Sequence, residues 1–218
     1  YFRLIDQKII SELVRNVVDR TVSTGDVALW VRQRRQGHWY QAYRHLYEAV
    51  DYAAQFVHML DEATLDMESI ADGVERYSRS WFSLDQLYRK FNYHVRCSGQ
   101  ASLMGPLTDQ IENLYSNNYL LKLNDRWQAH VDATNRWDVP SILLQKEFFN
   151  RCVQPFLNKD KKVYVIISDA LRYEIGEEFL SLIRQEDRFD ASLEPALSML
   201  PSYTQMGMAA LLPNKVLE

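Results

Sequence analysis

The sequence is short of the residues that make tight turns and cross-links. It contains 7 Gly and 6 Pro in 218 residues, whereas a small all-β protein needs such residues at frequent turns. Its two cysteines, Cys97 and Cys152, have neither CxxC spacing nor a histidine cluster beside them. A disulfide framework is therefore not expected. This cysteine usage favours a reducing cytoplasm as the compartment.

Two further absences limit the class of function. No run of about 18 apolar residues occurs, so no membrane span is expected, and no signal peptide is recognisable. The net charge of −4 lacks the basic excess of a general nucleic-acid binder, although it permits a local basic groove. The chain opens at Tyr1 on sequence typical of the middle of a helix. This opening indicates an internal fragment of a longer protein.

Apolar residues, at 47%, are numerous enough for a buried core, and up to residue 158 they recur at helical spacing. Helices are predicted over residues 2–23, 67–81 and 107–121. The clearest apolar seam indicates one long helix. Its members are Trp39, Tyr43, Leu46, Val50, Ala53, Val57 and Leu60. We therefore predict a helical bundle or helical-hairpin region over 1–158.

Local signals predict where these helices begin and end. Breaks are expected at Gly25, at Gly99 and at the Gly105-Pro106 pair. Ser83 with Gln86 has the pattern of a capping box, which would open a helix there. A last helix is predicted from Pro140 through Leu143, Leu144, Phe148 and Phe149, ending before Pro155.

The character of the sequence changes near residue 159. A polar stretch over 158–162 precedes Val163–Ile167, which is apolar without alternation, as a central parallel strand requires. Helical spacing follows over 171–184, and 191–197 is a candidate second strand. Strand, helix and strand in this order are typical of an α/β sheet. We predict an incomplete α/β domain over 159–218.

Asp169 follows the predicted strand directly. Ligands of parallel α/β sheets bind at the carboxyl ends of the strands, and a carboxylate fixed there can hold a divalent cation. The alternative is that Asp169 only caps the helix that starts near Leu171, a task that Asp performs well.

A second candidate lies in the segment 200–212, where a turn leads into a helix with hydroxyl residues at its start. Ser202 or Thr204 there would be well placed for phosphoryl transfer, because helix N-termini favour anions and a nearby cation activates a hydroxyl. The alternative is that either residue is only a helix cap. The spacing does not decide between the two hydroxyls.

Three stretches together resemble a known family. They are VYVIISDALRYE over 163–174, LEP over 193–195 and MLPSYTQMGMAALLP over 199–213. They look like the start of the PglZ domain, a member of the alkaline phosphatase superfamily and a component of type 1 BREX phage-defence systems. The resemblance implies that 159–218 begins an alkaline-phosphatase-like α/β domain that is truncated here.

The same resemblance implies a set of site residues. Asp169 would be a metal ligand, and Thr204 would be the metal-bound nucleophile. Family sites hold two divalent cations, with zinc the expected metal, and their further Asp and His ligands would lie beyond residue 218. Residues 159–218 contain no histidine, which agrees with truncation.

Two alternative functions are predicted. The first is a metal-dependent phosphoesterase of phage defence (phosphatase, phosphodiesterase or nuclease) that is active in the full-length protein and inactive in this fragment. The second is a scaffold or assembly subunit of the BREX complex with an architectural phosphatase fold. The resemblance implies the methyltransferase PglX and the small protein BrxB as partners of the helical region, with DNA as a further candidate and no membrane association.

The remaining polar residues have ordinary explanations. We interpret the five histidines as surface or half-buried residues without a ligand role. The run Arg32, Arg34 and Arg35 is interpreted as a solvated helix face rather than a phosphate site. Glu174 is either a supporting group behind Asp169 or a favourable negative charge in the first turn of a helix.

Overall fold

The computed structural model describes residues 3–214. The protein is mainly helical, and its helices and strands are numbered in chain order. The helices are α1 Arg3–Val18, α2 Thr24–Arg34, α3 Tyr40–Glu62, α4 Ile70–Arg76, α5 Phe82–Ser98, α6 Ala101–Asn113, α7 Leu121–Ala133, α8 Gln154–Leu157, α9 Tyr173–Ile183 and α10 Thr204–Leu211. The strands are β1 Leu143–Leu144 and β2 Ala196–Leu197, and π-helical turns cover Tyr77–Trp81, Leu114–Leu120 and Phe149–Val153.

By its internal packing the chain divides into two compact units. The first unit consists of Tyr1–Asp66 and Arg79–Gln128, and the second of Met67–Ser78 and Ala129–Glu218. The predicted boundary near residue 159, which separates helical from α/β sequence, does not coincide with this division. It stays a prediction about domains.

The core of the first unit lies between α3 and α5. The seam of α3 is buried from Tyr43 to Val57, and Phe91 of α5 is fully buried as well. Burying an apolar side chain of this size stabilises the fold by about 1.5–3 kcal/mol. The predicted long helix is therefore confirmed, because a continuous apolar stripe on α3 has a helix to pack against.

Two buried carboxylates in the first unit receive hydrogen bonds from tyrosines. Asp6 accepts one from Tyr47 Oη at 2.6 Å and an ion-paired one from Arg34 Nη2 at 2.7 Å. Asp85 accepts one from Tyr115 Oη at 2.7 Å. A buried carboxylate is costly unless its oxygens are satisfied in this way.

Two histidines of the first unit contact each other. The Nδ1 atoms of His45 on α3 and His94 on α5 lie 2.9 Å apart, and the ring of Tyr52 stacks on His94 at 5.4 Å between centroids. One imidazole must be the donor and the other the acceptor. Spacing along the sequence could not predict this pair, because the two residues meet only across the packed helices.

Several predicted helix boundaries are wrong, and one is confirmed. Gly99 ends α5 in the left-handed region with a φ of 64°, as glycine allows. Gly105-Pro106, however, lies inside α6. No helix opens at Ser83, because the π-helical turn Tyr77–Trp81 leads directly into α5. Gly25 lies in the first turn of α2, where Ser23 Oγ caps the N–H of Asp26.

The second unit contains a small parallel sheet. β1 pairs with β2, with Leu143 opposite Ala196 and Leu144 opposite Leu197. The predicted helix from Pro140 through Phe149 is thus wrong at its start, and its predicted end before Pro155 is wrong as well, because α8 contains that proline in its first turn. A strand partner distant in sequence, which periodicity does not reveal, decides the local structure. The second predicted strand, over 191–197, is regular only at its last two residues.

The predicted central strand Val163–Ile167 is not observed. These residues lie outside any helix or strand, and the side chains of Tyr164 and Ile166 are 87% and 92% exposed. The physical reason is that a strand apolar on both faces needs neighbouring strands and covering helices. The residues described here do not provide them. The helix predicted over 171–184 is confirmed as α9.

No helix among residues 3–214 is long and apolar enough to cross a membrane.

Candidate active site

A cleft in the second unit brings together the residues that the sequence singled out. It has a volume of about 400 Å³ and is lined by three stretches of chain. Asp169 comes from the turn after Val163–Ile167, which we term the exposed apolar segment. Thr204 is the first residue of α10, and Ser202 lies two residues before it. One carboxylate residue and two hydroxyl residues therefore line one space, although nothing in the local sequence requires the turn and the helix to lie side by side.

Asp169 lies in a turn rather than at the end of a sheet strand. The next residue, Ala170, has a φ of 53°, an uncommon conformation for a residue with a Cβ. Helix α9 begins only at Tyr173, and Arg172 is the residue that precedes it. The interpretation of Asp169 as a helix cap is therefore wrong, because the helix starts too far along the chain. Its exposed carboxylate is available to a ligand in the cleft.

Thr204 is the first residue of α10. Tyr203 occupies the cap position without a side-chain hydrogen bond, so neither Ser202 nor Thr204 caps the helix. The first N–H groups of a helix have no partner within it, and they favour an anion together with the helix dipole. A hydroxyl at this position is suited to contact a phosphoryl group.

One face of α10 lines the cleft. Thr204, Gly207, Met208 and Leu211 all border it, at the spacing of three and four residues that places side chains on the same side of a helix. Thr204 is thus the polar residue at the start of this face of α10, and the other residues of the face are apolar. The sequence placed the hydroxyl correctly at the start of this helix.

Gln145 is a lining residue that sequence reasoning missed. Its Oε1 accepts a hydrogen bond from Met199 N–H at 3.1 Å, and its Nε2 donates to the carbonyl oxygen of Gly207 at 3.2 Å. No sequence signal could have found it, because both of its hydrogen-bond partners are distant in sequence. The segment around it was predicted as an ordinary helix. Nearby, Trp137 Nε1 donates to the carbonyl oxygen of Ser198 at 2.8 Å.

Glu174 does not line the cleft. Its side chain is fully buried in the first turn of α9, and Arg172 Nε lies 3.0 Å from its Oε1. The side chain of Arg172 is half exposed, so this ion pair reaches from the surface into the packing of α9. Of the two alternatives for Glu174, its location in the first turn of a helix is what the structure shows.

The donors in the cleft can form part of a metal site. Carboxylate and hydroxyl oxygens are ligands that hard and borderline cations accept, and Asp169 and Thr204 supply one of each. Within residues 3–214, however, no group of three or more His, Cys, Asp or Glu side chains is placed to hold a metal ion. The oxygen donors fit a divalent cation in kind and are too few to hold one alone.

The last third of the chain matches a known family model. Residues 148–218 match the family model of the BREX system PglZ alkaline phosphatase-like domain, a range that contains both Asp169 and Thr204. The resemblance of this chain to the PglZ family is confirmed.

Similarity to curated PglZ-type proteins extends over the whole chain, including the helical part. The alkaline phosphatase-like protein BrxZ of Escherichia coli O9:H4 (strain HS) is 38% identical over 98% of this chain. The alkaline phosphatase-like protein PglZ of Bacillus cereus (strain H3081.97) is 30% identical over 98% of the chain. The chain spans only 26% of the length of each relative. No solved structure matches significantly.

Proposed function

We propose that this chain supplies the nucleophile and one metal ligand of a metal-dependent phosphoester hydrolase that acts in phage defence. The observation that carries the proposal is the shared cleft, which both Asp169 and Thr204 line. Both residues lie in motifs that resemble the PglZ domain. The names of the two relatives, each an alkaline phosphatase-like protein, support the class of reaction.

The proposed reaction is a two-step displacement at phosphorus. Thr204 Oγ1 attacks the phosphoryl group, the bond from phosphorus to the leaving oxygen breaks, and the leaving alcohol takes up a proton. The threonine hydroxyl loses its proton to solvent in this step. Water then attacks the phospho-threonine, which regenerates the hydroxyl and releases phosphate or a phosphomonoester.

The chain's own groups serve this reaction through charge and position. The N-terminus of α10 favours the negative phosphoryl oxygens next to Thr204. Asp169 and Thr204 would contact two divalent cations, with zinc the expected metal and with the remaining Asp and His ligands from the polypeptide beyond residue 218. When bound, these cations would favour the ionised form of the Thr204 hydroxyl and offset the charge on the phosphoryl group.

The decisive experiment is metal analysis of the full-length protein together with assays on a phosphomonoester and a phosphodiester. We expect bound divalent metal and turnover that a chelator abolishes. The chain 1–218, tested in parallel, should be inactive because its metal ligands are incomplete. Turnover by this shorter chain above a metal-free blank would contradict the proposal that its set of metal ligands is incomplete.

A metal-free, inactive full-length protein would favour the architectural role instead. In that case the helical region would be the functional part. The proposed partners are the methyltransferase PglX, the small protein BrxB and DNA. Co-purification of each with the full-length protein, and with the same protein lacking the helical region, would test them.

A further inference from the structure

The side chain of Gln145 joins two points of the chain on either side of the candidate hydroxyls. Its carboxamide accepts from Met199 N–H at 3.1 Å and donates to the Gly207 carbonyl oxygen at 3.2 Å. Ser202 and Thr204 lie between these two points. A single side chain thus holds both ends of the segment Met199–Gly207, which we term the hydroxyl segment.

We propose that Gln145 is a positioning residue that fixes Thr204 in the cleft by holding the two ends of the hydroxyl segment. The proposal rests on the proposed role of Thr204 as the nucleophile. It goes beyond that role because Gln145 lies outside all three stretches that carry the family resemblance.

The constraint has to come from the ends of the segment, because its middle is exposed. Residues 201–205 are all exposed to solvent, so neighbouring side chains do not hold Thr204 by burial. Displacing a reacting group by about 1 Å can reduce a rate about 10²-fold. A nucleophile on an exposed turn therefore needs a fixed frame, and hydrogen bonds at both ends of the turn provide one.

The frame is itself anchored to the small sheet. Gln145 follows β1 directly, and Met199 lies two residues after β2. The parallel pairing of β1 with β2 thus fixes the distance between the carboxamide and the start of the hydroxyl segment. The hydrogen bond from Trp137 to the Ser198 carbonyl oxygen adds a second fixed point at this start.

The two bonds require a carboxamide. One partner is an N–H and the other a carbonyl oxygen, and among side chains of this length only glutamine offers an acceptor and a donor at once without a charge. A glutamate would keep the bond from Met199. It would also place a second acceptor against the Gly207 oxygen, unless the carboxyl is protonated.

Gly207 leaves the room that this side chain needs. A Cβ built on Gly207 would lie 3.2 Å from Gln145 Nε2, which is tighter than ordinary packing contact. The Gly207→Ala change should therefore displace the carboxamide by a few tenths of an ångström. It provides a second variant that acts on the same contact from the opposite side.

The test uses the full-length protein with Gln145→Ala, and with Gln185→Ala as the matched control. Gln185 lies just past the end of α9, and its side chain donates to the carbonyl oxygen of Ser181, four residues earlier, at an exposed site. In Gln145→Ala we expect kcat to fall on the order of 10²-fold, with KM, bound metal and melting temperature close to wild type. Backbone amide exchange should accelerate over residues 199–207. The control should match wild type in every measurement.

Two further variants separate positioning from a general structural effect. In Gln145→Glu, the ratio of variant to wild-type kcat should rise as the pH falls through the titration of the carboxyl, because the protonated acid can again donate to Gly207. In the Thr204→Ala protein, adding Gln145→Ala should cause no further loss of residual activity, since Gln145 acts through Thr204.

Several results would overturn the proposal. An unchanged kcat in Gln145→Ala, in an active protein, would show that the hydroxyl segment needs no such frame while leaving the proposed function intact. A fall in kcat together with lost metal or a lowered melting temperature would show a general structural role. A wild-type protein without phosphoesterase activity would refute the proposed function and, with it, the role of Gln145 in catalysis.

Discussion

Asp169 and Thr204 line the same cleft, one from a turn and the other from the first residue of a helix. Neither residue caps a helix, so ordinary local structure does not account for either of them. The cleft instead presents a carboxylate and a hydroxyl to the same space. This relationship makes the two residues the first targets for substitution.

We expect Thr204→Ala in the full-length protein to reduce turnover on the order of 10⁴-fold or more, as the loss of a nucleophile does, while most bound metal stays in place. Asp169→Ala should lower both rate and metal affinity, the affinity by at least about tenfold, because even groups that only support a ligand have effects of this size. Rates on a phosphoester and metal content by mass spectrometry would measure both.

Ser202→Ala is the matched control for Thr204→Ala, since both hydroxyls lie at the start of α10 and both residues are exposed. The control should retain nearly full activity. If Ser202→Ala abolishes turnover and Thr204→Ala does not, the roles of the two hydroxyls are exchanged. If neither matters while a phosphoester is still cleaved, the site lies elsewhere.

A charge placed in the exposed apolar segment should be favourable in the chain 1–218 and unfavourable in the full-length protein. In the chain 1–218, Ile166→Lys should reduce aggregation and dye binding to apolar surface, because Ile166 is 92% exposed and lysine solvates it. In the full-length protein we expect the same change to destabilise the fold by about 3 kcal/mol or more, because a covered central strand would bury the charge. Denaturant unfolding measures the second effect.

Leu4→Lys serves as the control for this comparison. Leu4 lies on α1 and is 72% exposed, so the lysine should change the unfolding free energy by no more than about 0.5 kcal/mol in either protein. Equal tolerance of Ile166→Lys in both proteins would contradict the predicted strand.

Sequence alone predicted the elements whose cause is local. The apolar stripe of α3, the glycine that ends α5 and the hydroxyl at the start of α10 are each visible within a few residues. The prediction of a helix break at Pro106 was wrong. A proline inside a helix costs about 3 kcal/mol, and burial of neighbouring side chains must offset this cost. Met104, Leu107 and Ile111 on the same helix are fully buried, and their burial can do so.

The errors elsewhere have a non-local cause. Leu143 and Leu144 form a strand because Ala196 and Leu197 lie beside them. Val163–Ile167 is not a strand because no partner strand lies beside it within residues 3–214. Gln145 escaped notice for the same reason. Its two hydrogen-bond partners are distant in sequence and become visible only when the sheet is formed.

The ion pair of Arg34 with Asp6 should contribute strongly to the stability of the first unit. Arg34→Leu would leave the Asp6 carboxylate, whose side chain is 2% exposed, without its cation. We expect a loss of about 3–5 kcal/mol in unfolding free energy, as for other broken buried pairs. The adjacent Arg35→Leu is the control, because Arg35 is 55% exposed in its pair with Glu48 and such pairs contribute less than about 1 kcal/mol. Equal losses in a urea titration would contradict this ranking.

The histidine pair should make the first unit less stable in mild acid. Burial, followed by the neighbouring His45, lowers the pKa of His94; Arg44 and Lys90 act in the same direction, and Glu48 opposes them. A histidine with a lowered pKa binds its proton less readily in the folded than in the unfolded protein. Stability should therefore fall as the pH drops below about 6.5, the unfolded value, and level off below the folded pKa.

His94→Gln should flatten this pH dependence, because glutamine keeps a polar group at the site without titrating. The measurement is the urea midpoint followed by helical circular dichroism between pH 7.5 and pH 5. His58→Gln is the control: His58 is on α3, exposed, and paired only loosely with Glu62 at 3.6 Å. It should retain the wild-type slope, and a wild-type slope in His94→Gln as well would assign the acid sensitivity to another group.

The pairing of β1 with β2 has a consequence for the order in which the chain folds. The contacts between α3 and α5 close short loops, which form early and at low entropic cost, whereas β2 reaches β1 only after the whole intervening chain has been closed into a loop. Gln145 can bond Met199 only once that closure has occurred. We therefore expect the hydroxyl segment to acquire its final conformation late, after most of the helical structure exists.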